Sequence, residues 1–114
     1  YIYNIKTSKW KKVECKNKPY PRYSHGMCVV NNELIIHGGL TVDDKCLDDM
    51  YTVNVNNIIN GFDTPKWEKL SNNIGTLYGH LMISVNSALI CFGGGNKYQK
   101  ATENNKLIIH NNFN

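Results

Sequence analysis

Hydrophobic residues along this chain come in short runs, and the clearest runs come in pairs. Residues 26–30 and 33–37 are separated by Asn31-Asn32, and residues 81–85 and 88–92 by Asn86-Ser87. Each run is about five residues long, rich in Val, Ile and Leu, and bounded by turn formers, which predicts strands. A two-residue spacer predicts a tight hairpin, and Asn suits it because it tolerates the positive φ of a type I′ turn. Both hairpins end in a diglycine, Gly38-Gly39 and Gly93-Gly94, where a buried helix would have continued. A third strand is predicted at residues 51–54, which match residues 1–4, with residues 107–110 as a weaker copy. A fourth follows the first two of these, at residues 67–70 and 10–13, each opening on a Trp.

The chain therefore repeats itself. His25 returns as His80 and Gly38-Gly39 as Gly93-Gly94 after 55 positions, and Trp10 returns as Trp67 after 57. Arg22-Tyr23-Ser24-His25 aligns with Leu77-Tyr78-Gly79-His80. Repeats near 50 residues predict propeller blades. A His-small start, a hydrophobic strand ending in Gly-Gly, a spaced Tyr51 and then Trp67 together resemble the kelch repeat, and the resemblance covers nearly the whole chain. It implies an all-β fold, a kelch-type β-propeller fragment built of four-stranded antiparallel blades. On this reading residues 1–15 supply the last two strands of one kelch blade, 16–70 a complete blade, and 71–114 the first three strands of the next. Repeat proteins draw much of their stability from neighbouring units, so the remaining blades of the same polypeptide are expected as packing partners.

The kelch signature residues are read as structural: His25, Gly38, Gly39, Tyr51, Trp67, His80, Gly93, Gly94 and Trp10. A glycine without Cβ lets the chain leave the second strand at positive φ. The two tryptophans are expected between blades, each burying roughly 150–250 Å², worth about 4–6 kcal/mol at about 25 cal/mol per Å². His37 has Phe92 as its counterpart and is expected in the core or between blades.

Composition narrows the class. The formal net charge is +4, and Lys6, Lys9, Lys11, Lys12, Lys16, Lys18 and Arg22 crowd the first 22 residues, opposed by Glu14. Without interleaved Arg and stacking aromatics, this run reads as a solvated outer-strand face rather than a nucleic-acid groove. No apolar run approaches the roughly 18 residues that span a membrane, so no membrane partner is expected. Cys28 stands where the other copy has Ile83, and Cys91 where it has Ile36, so both read as core thiols. Cys15 and Cys46 form no ligand-spaced motif, so neither a metal nor another cofactor is expected. None of the seventeen asparagines stands in an N-x-Ser/Thr sequon, which fits a cytoplasmic or nuclear setting.

Strands committed to packing leave function to the loops. The kelch resemblance implies a partner-binding face made by the second-to-third-strand loops, residues 41–48 and 95–106, and by the connections at 16–23 and 71–78. The candidate residues there are Asp43, Asp44, Lys45 and Asp48 in the first loop, Lys97, Tyr98 and Lys100 in the second, and Arg22, Tyr23 and Tyr78 in the connections. Tyr98 between two lysines suits an interface anchor. The expected function is a non-catalytic protein-protein interaction module within a larger protein. The alternatives are part of a kelch-fold enzyme of the metal-dependent oxidase or specifier type, or the regulatory propeller of a kelch-containing protein phosphatase. A specifier-type site would want Glu-x3-Asp-x3-His; Glu33 precedes His37 without the Asp, and no catalytic residue is nominated.

Overall fold

A computed structural model describes residues 1–96 together with the backbone of the strand at 107–110. The described residues form nine strands and one short helix. In chain order these are β1 (Ile2–Asn4), β2 (Lys9–Lys11), β3 (Gly26–Val30), β4 (Glu33–His37), β5 (Met50–Asn54), α1 (Val55–Asn60), β6 (Glu68–Leu70), β7 (Leu81–Val85), β8 (Ala88–Phe92) and β9 (Leu107–His110). They make three antiparallel sheets, β1-β2, β3-β4-β5-β6 and β7-β8-β9. The all-β class and the antiparallel meander agree with the pattern of short runs and turns in the sequence.

The hairpin turns fix the registers. Asn31 and Asn32 sit at φ 46° and 67°, and Asn86 and Ser87 at 48° and 64°, the left-handed pair that a type I′ turn demands. Val30 then faces Glu33, and Gly26 faces His37; Val85 faces Ala88, and Leu81 faces Phe92. Because side chains alternate along a strand, this register sends Ile35, Leu89 and Cys91 inward. One core joins the second and third sheets: Val30, Ile35 and Met50 meet Met82, Leu89 and Cys91, with Ile74 and Leu77 of the connecting segment between them. Fully burying a side chain such as Ile35 or Leu89 contributes about 1.5–3 kcal/mol. Cys91 is buried in this core and Cys28 packs against it, as aliphatic residues would.

Polar bonds stitch the same two sheets together. Ser84 Oγ donates to the Val29 carbonyl at 2.8 Å, and Asn31 Nδ2 to Ser87 Oγ at 3.1 Å, linking the two hairpin turns. At the other end Gly39 N donates to Leu77 O at 2.8 Å, and Gly79 N to Ser24 O at 2.7 Å. The segment that follows β2 is tied to the one that enters β6 at Lys16, whose N–H reaches Pro65 O at 2.8 Å while its carbonyl receives Trp67 N at 3.0 Å.

The tryptophans differ from expectation. Trp67 is half-buried, beside a cleft lined by Val13, Cys15, Leu34 and Ile58 where the first sheet approaches the second. Trp10 is 70% exposed: its ring tilts against Tyr3 at 5.0 Å, and no described element covers its far side. A further difference is α1, which lies between the third and fourth strands expected from sequence, where no element was expected. Asn54 caps it, its side-chain oxygen accepting from Asn57 N at 3.1 Å, and Gly61 ends it in the left-handed region at φ 67°. Asn at the N-cap and Gly just past the last residue are ordinary helix boundary signals, masked here by four asparagines in seven positions. No helix among the described residues is long and apolar enough to cross a membrane.

Candidate functional site

Arg22, the chain's single arginine, organises the end of the second sheet that carries the diglycine. Its side chain is 3% exposed and meets Asp49 through two bonds, Nη1 to Oδ1 and Nη2 to Oδ2, the latter at 3.0 Å. Nη1 also donates to Gly38 O at 3.1 Å and Nε to Tyr20 O at 3.1 Å, while the guanidinium lies 5.8 Å from the centre of the half-buried Tyr51 ring. A two-pronged guanidinium–carboxylate pair fixes orientation as well as charge. Arg22 thus anchors the start of β5 and the end of β4 to the segment that enters β3. Four of its five N–H donors are spent on Tyr20, Gly38 and Asp49 within the chain.

The anchored loop, residues 40–49, folds back on itself. Leu40 bridges both Tyr23 and Cys46, Thr41 N donates to Lys45 O at 3.0 Å, and Asp44 N to Thr41 O at 2.9 Å. Thr41 Oγ1 accepts from Lys45 N at 3.1 Å, and Leu47 N donates to Gly39 O at 2.9 Å. Leu47 O in turn accepts from Leu77 N at 3.3 Å, which ties the loop to the connection between the second and third sheets. Between them opens a groove of about 720 Å³, with Leu40, Cys46 and Leu47 on one side and Thr76 and Tyr78 on the other. That volume lies within the usual range of ligand-binding clefts.

Asp44 and Lys45 stand at the groove's rim. The exposed Tyr23 donates its hydroxyl to Asp44 Oδ1, and this bond to the carboxylate, with a smaller contribution from burial, holds the phenol above its ordinary pKa. Asp43 and Asp48 are exposed on the same loop. Burial pushes the Cys46 thiol up, and Asp48 adds to the shift. Four of the residues nominated from sequence are therefore brought together here: Asp44, Lys45 and Tyr78 line the groove, and Tyr23 holds one of its acids. Asp43 and Asp48 are exposed and stand next in the chain to the lining residues Asp44 and Leu47. Lys97, Tyr98 and Lys100 lie outside the described residues. Sequence reasoning missed Asp49, the partner of the lone arginine, and the apolar floor supplied by Leu40, Cys46 and Leu47, with Thr76 opposite.

Behind the groove the histidines form a buried seam. His37 is completely buried and His80 is 7% exposed; their rings meet edge to face, with His37 Nδ1 and His80 Nε2 at 3.1 Å, so one donates and the other accepts. His25 is half-buried, and neither its Nδ1 nor that of His80 has a hydrogen-bond partner among the described residues. Burial first, then the repulsion that an imidazolium here would meet from protonated His37 or His25, pulls His80 down to about 4. Burial likewise lowers His37 and His25. The imidazoles are thus held neutral, as packing groups. Glu33, considered from sequence beside His37, is engaged elsewhere, accepting from Thr52 Oγ1 at 2.9 Å and Asn54 Nδ2 at 3.4 Å. Among the described residues no three His, Cys, Asp or Glu side chains gather where they could hold a metal ion. Of the basic run only Lys9 and Lys11 lie in a strand, β2; Lys6, Lys12, Lys16 and Lys18 are exposed on the segments around it, where Lys12 and Lys18 share Glu14 at 3.2 and 3.6 Å.

Comparison with known proteins identifies the repeat. Protein ral2 of Schizosaccharomyces pombe is 34% identical over 74 residues, covering 61% of this chain and 12% of that protein. An F-box/kelch-repeat protein of Arabidopsis thaliana is 32% identical over 84 residues, 73% of this chain and 17% of that protein. Dynein regulatory complex subunit 7 of Chlamydomonas reinhardtii is 44% identical over 45 residues, 37% of this chain and 4% of that protein. The chain thus spans less than a fifth of the length of each of these relatives. The KLHDC2/KLHL20/DRC7 Kelch-repeats domain family matches residues 1–112. Domains of this kind commonly serve as protein-interaction modules, and with the family match extending over nearly all of its three sheets, the chain belongs to the kelch-repeat family.

Proposed function

We propose that this segment is a non-catalytic protein-interaction module that binds its partner at the diglycine end of the sheets, in the groove between residues 40–48 and 76–78. The observation that carries the reading is the groove itself: an apolar floor of Leu40, Leu47 and Tyr78 left open on a loop that Arg22 and Asp49 hold in place. A rigid loop with exposed apolar floor loses little conformational entropy on binding, which favours recognition. Tyr78, half-buried beside the groove, is the aromatic anchor among the described residues.

Panning a display library of random short peptides against the full-length protein tests this. The enriched peptides should lose binding to Leu47→Asp and weaken by about 1–2 kcal/mol against Tyr78→Ala, while Asn56→Asp, exposed in α1 at the opposite end, leaves them unaffected. Peptides that ignore both groove variants and respond to Asn56 or Phe62 would place binding on the hairpin-turn end instead.

A further inference from the structure

The groove is apolar at its floor, and the loop that forms one side of it is acidic. Asp43 and Asp48 are exposed, and Asp44 reaches the groove with its carboxylate held by the Tyr23 hydroxyl. Asp49, the fourth acid of the loop, is already neutralised by Arg22. Lys45 is the only cation between residues 40 and 49, so Asp43, Asp44 and Asp48 against Lys45 leave two net negative charges on this loop, in a chain whose formal net charge is +4. The acidic loop is therefore a local reversal of the chain's overall sign, placed beside its open apolar cleft.

We infer that the groove takes a basic-apolar peptide segment of a protein partner: an apolar side chain seated between Leu47 and Tyr78, with a Lys or Arg a few residues away facing Asp43 and Asp48. This rests on the interaction reading above and specifies its chemistry. The apolar residue supplies the buried area, since the floor side chains offer few polar groups to satisfy. The basic residue supplies orientation and faster encounter, because complementary charge steers association and penalises wrong partners. Arginine suits the rim better than lysine, as a planar guanidinium can bridge a carboxylate with two bonds. Tyr23 fixes the Asp44 carboxylate before binding, so that part of the rim's charge is in place without ordering a free side chain. Acidic segments, and anionic polymers generally, would meet like charge at three of the four positions Asp43, Asp44, Lys45 and Asp48 on this loop.

The test uses the full-length protein and the same display library, read for the residues that flank the apolar anchor. Enriched peptides should carry Lys or Arg near an apolar residue and should weaken as salt rises. The double variant Asp43→Lys/Asp48→Lys, both positions exposed, should cut their affinity by about tenfold, since two exposed pairs are each worth a few-fold, and a second round of panning on that variant should enrich acidic flanks. Peptides that need Leu47 but carry neutral or acidic flanks, or that are indifferent to the double reversal, would overturn the basic-segment assignment and leave the groove as the binding site. Peptides that bind Leu47→Asp as well as the parent protein, or no enrichment at all, would overturn both.

Discussion

The second and third sheets are two copies of one unit, and they differ most where one has a neighbour packed upon it. His37, at the end of β4, is completely buried against His80, whereas its counterpart Phe92, at the end of β8, is 50% exposed. A Cβ placed on Gly38 would lie 2.3 Å from the Leu77 carbonyl oxygen of the next unit; placed on Gly93 it would meet no described atom within 4 Å. The second glycines do not differ. A Cβ on Gly39 would lie 2.7 Å from Tyr23 O, and one on Gly94 2.7 Å from Tyr78 O. So the two halves of the diglycine answer to different constraints: the second to the unit's own closure, the first to the unit that follows. Arg22 and Leu77 extend the contrast, because one repeat position holds a charge buried by Asp49 and the other an aliphatic side chain in the shared core.

Breaking the Arg22 solution should have the largest effect. Asp49→Ala leaves a buried guanidinium without its counter-charge and should cost about 3–5 kcal/mol, measured by denaturant unfolding of the full-length protein. Gly38→Ala comes next, at about 3 kcal/mol or more, because the left-handed φ of 68° alone costs roughly 1–2 kcal/mol and the Leu77 carbonyl must also move. Gly93→Ala, at φ 73°, should show the conformational cost without the collision. Equal losses at the two glycines would mean that Gly38 is not distinguished by its neighbour.

Acid should act through the histidine seam. His80 has its folded pKa drawn from 6.5 to about 4, so the unfolded chain binds a proton that the folded chain refuses. Its contribution is intact above pH 6.5 and declines as the pH falls towards 4, by about 3 kcal/mol at about 1.4 kcal/mol per pKa unit. His37 and His25 shift the same way and deepen the loss. Unfolding midpoints followed from neutral pH down to 4 check this, and His80→Gln should flatten the profile. Smaller again is the contrast between the tryptophans: Trp67→Ala should cost about 2 kcal/mol for a half-buried indole, and Trp10→Ala under about 1 kcal/mol for one that is mostly exposed.

Much of this fold could be read from the residues. Four five-residue strands and both two-residue turns follow from apolar runs punctuated by Asn31-Asn32 and Asn86-Ser87, because register and turn chemistry are local. The core positions of Cys28 and Cys91 follow from overlaying the copies. What could not be read was which surfaces meet. Trp10 and Trp67 share a sequence context, yet their burial depends on what packs over them, which is a tertiary matter. The groove was legible at Asp44 and Lys45 and at Tyr78. Its apolar floor draws on Leu40, Cys46 and Leu47, which look like ordinary loop residues until the Leu47–Leu77 and Gly39–Leu77 backbone bonds bring Thr76 and Tyr78 opposite them. Asp49 hid for a similar reason: among three nearby aspartates, no local pattern marks the one that Arg22 selects.

On the proposed reading labour is divided within one unit: the diglycine, the histidines and the Arg22–Asp49 pair hold the sheets, and the exposed acids of the 40–48 loop, with Tyr78 opposite, meet the partner. Measuring melting temperature and peptide affinity together, on the full-length protein carrying Asp43→Lys/Asp48→Lys, tests that division most directly. Stability should stay within about 0.5 kcal/mol of the parent, as for other exposed substitutions, while affinity for the enriched peptides falls about tenfold. A lowered melting temperature with affinity unchanged would contradict it, by making the acidic loop part of the scaffold.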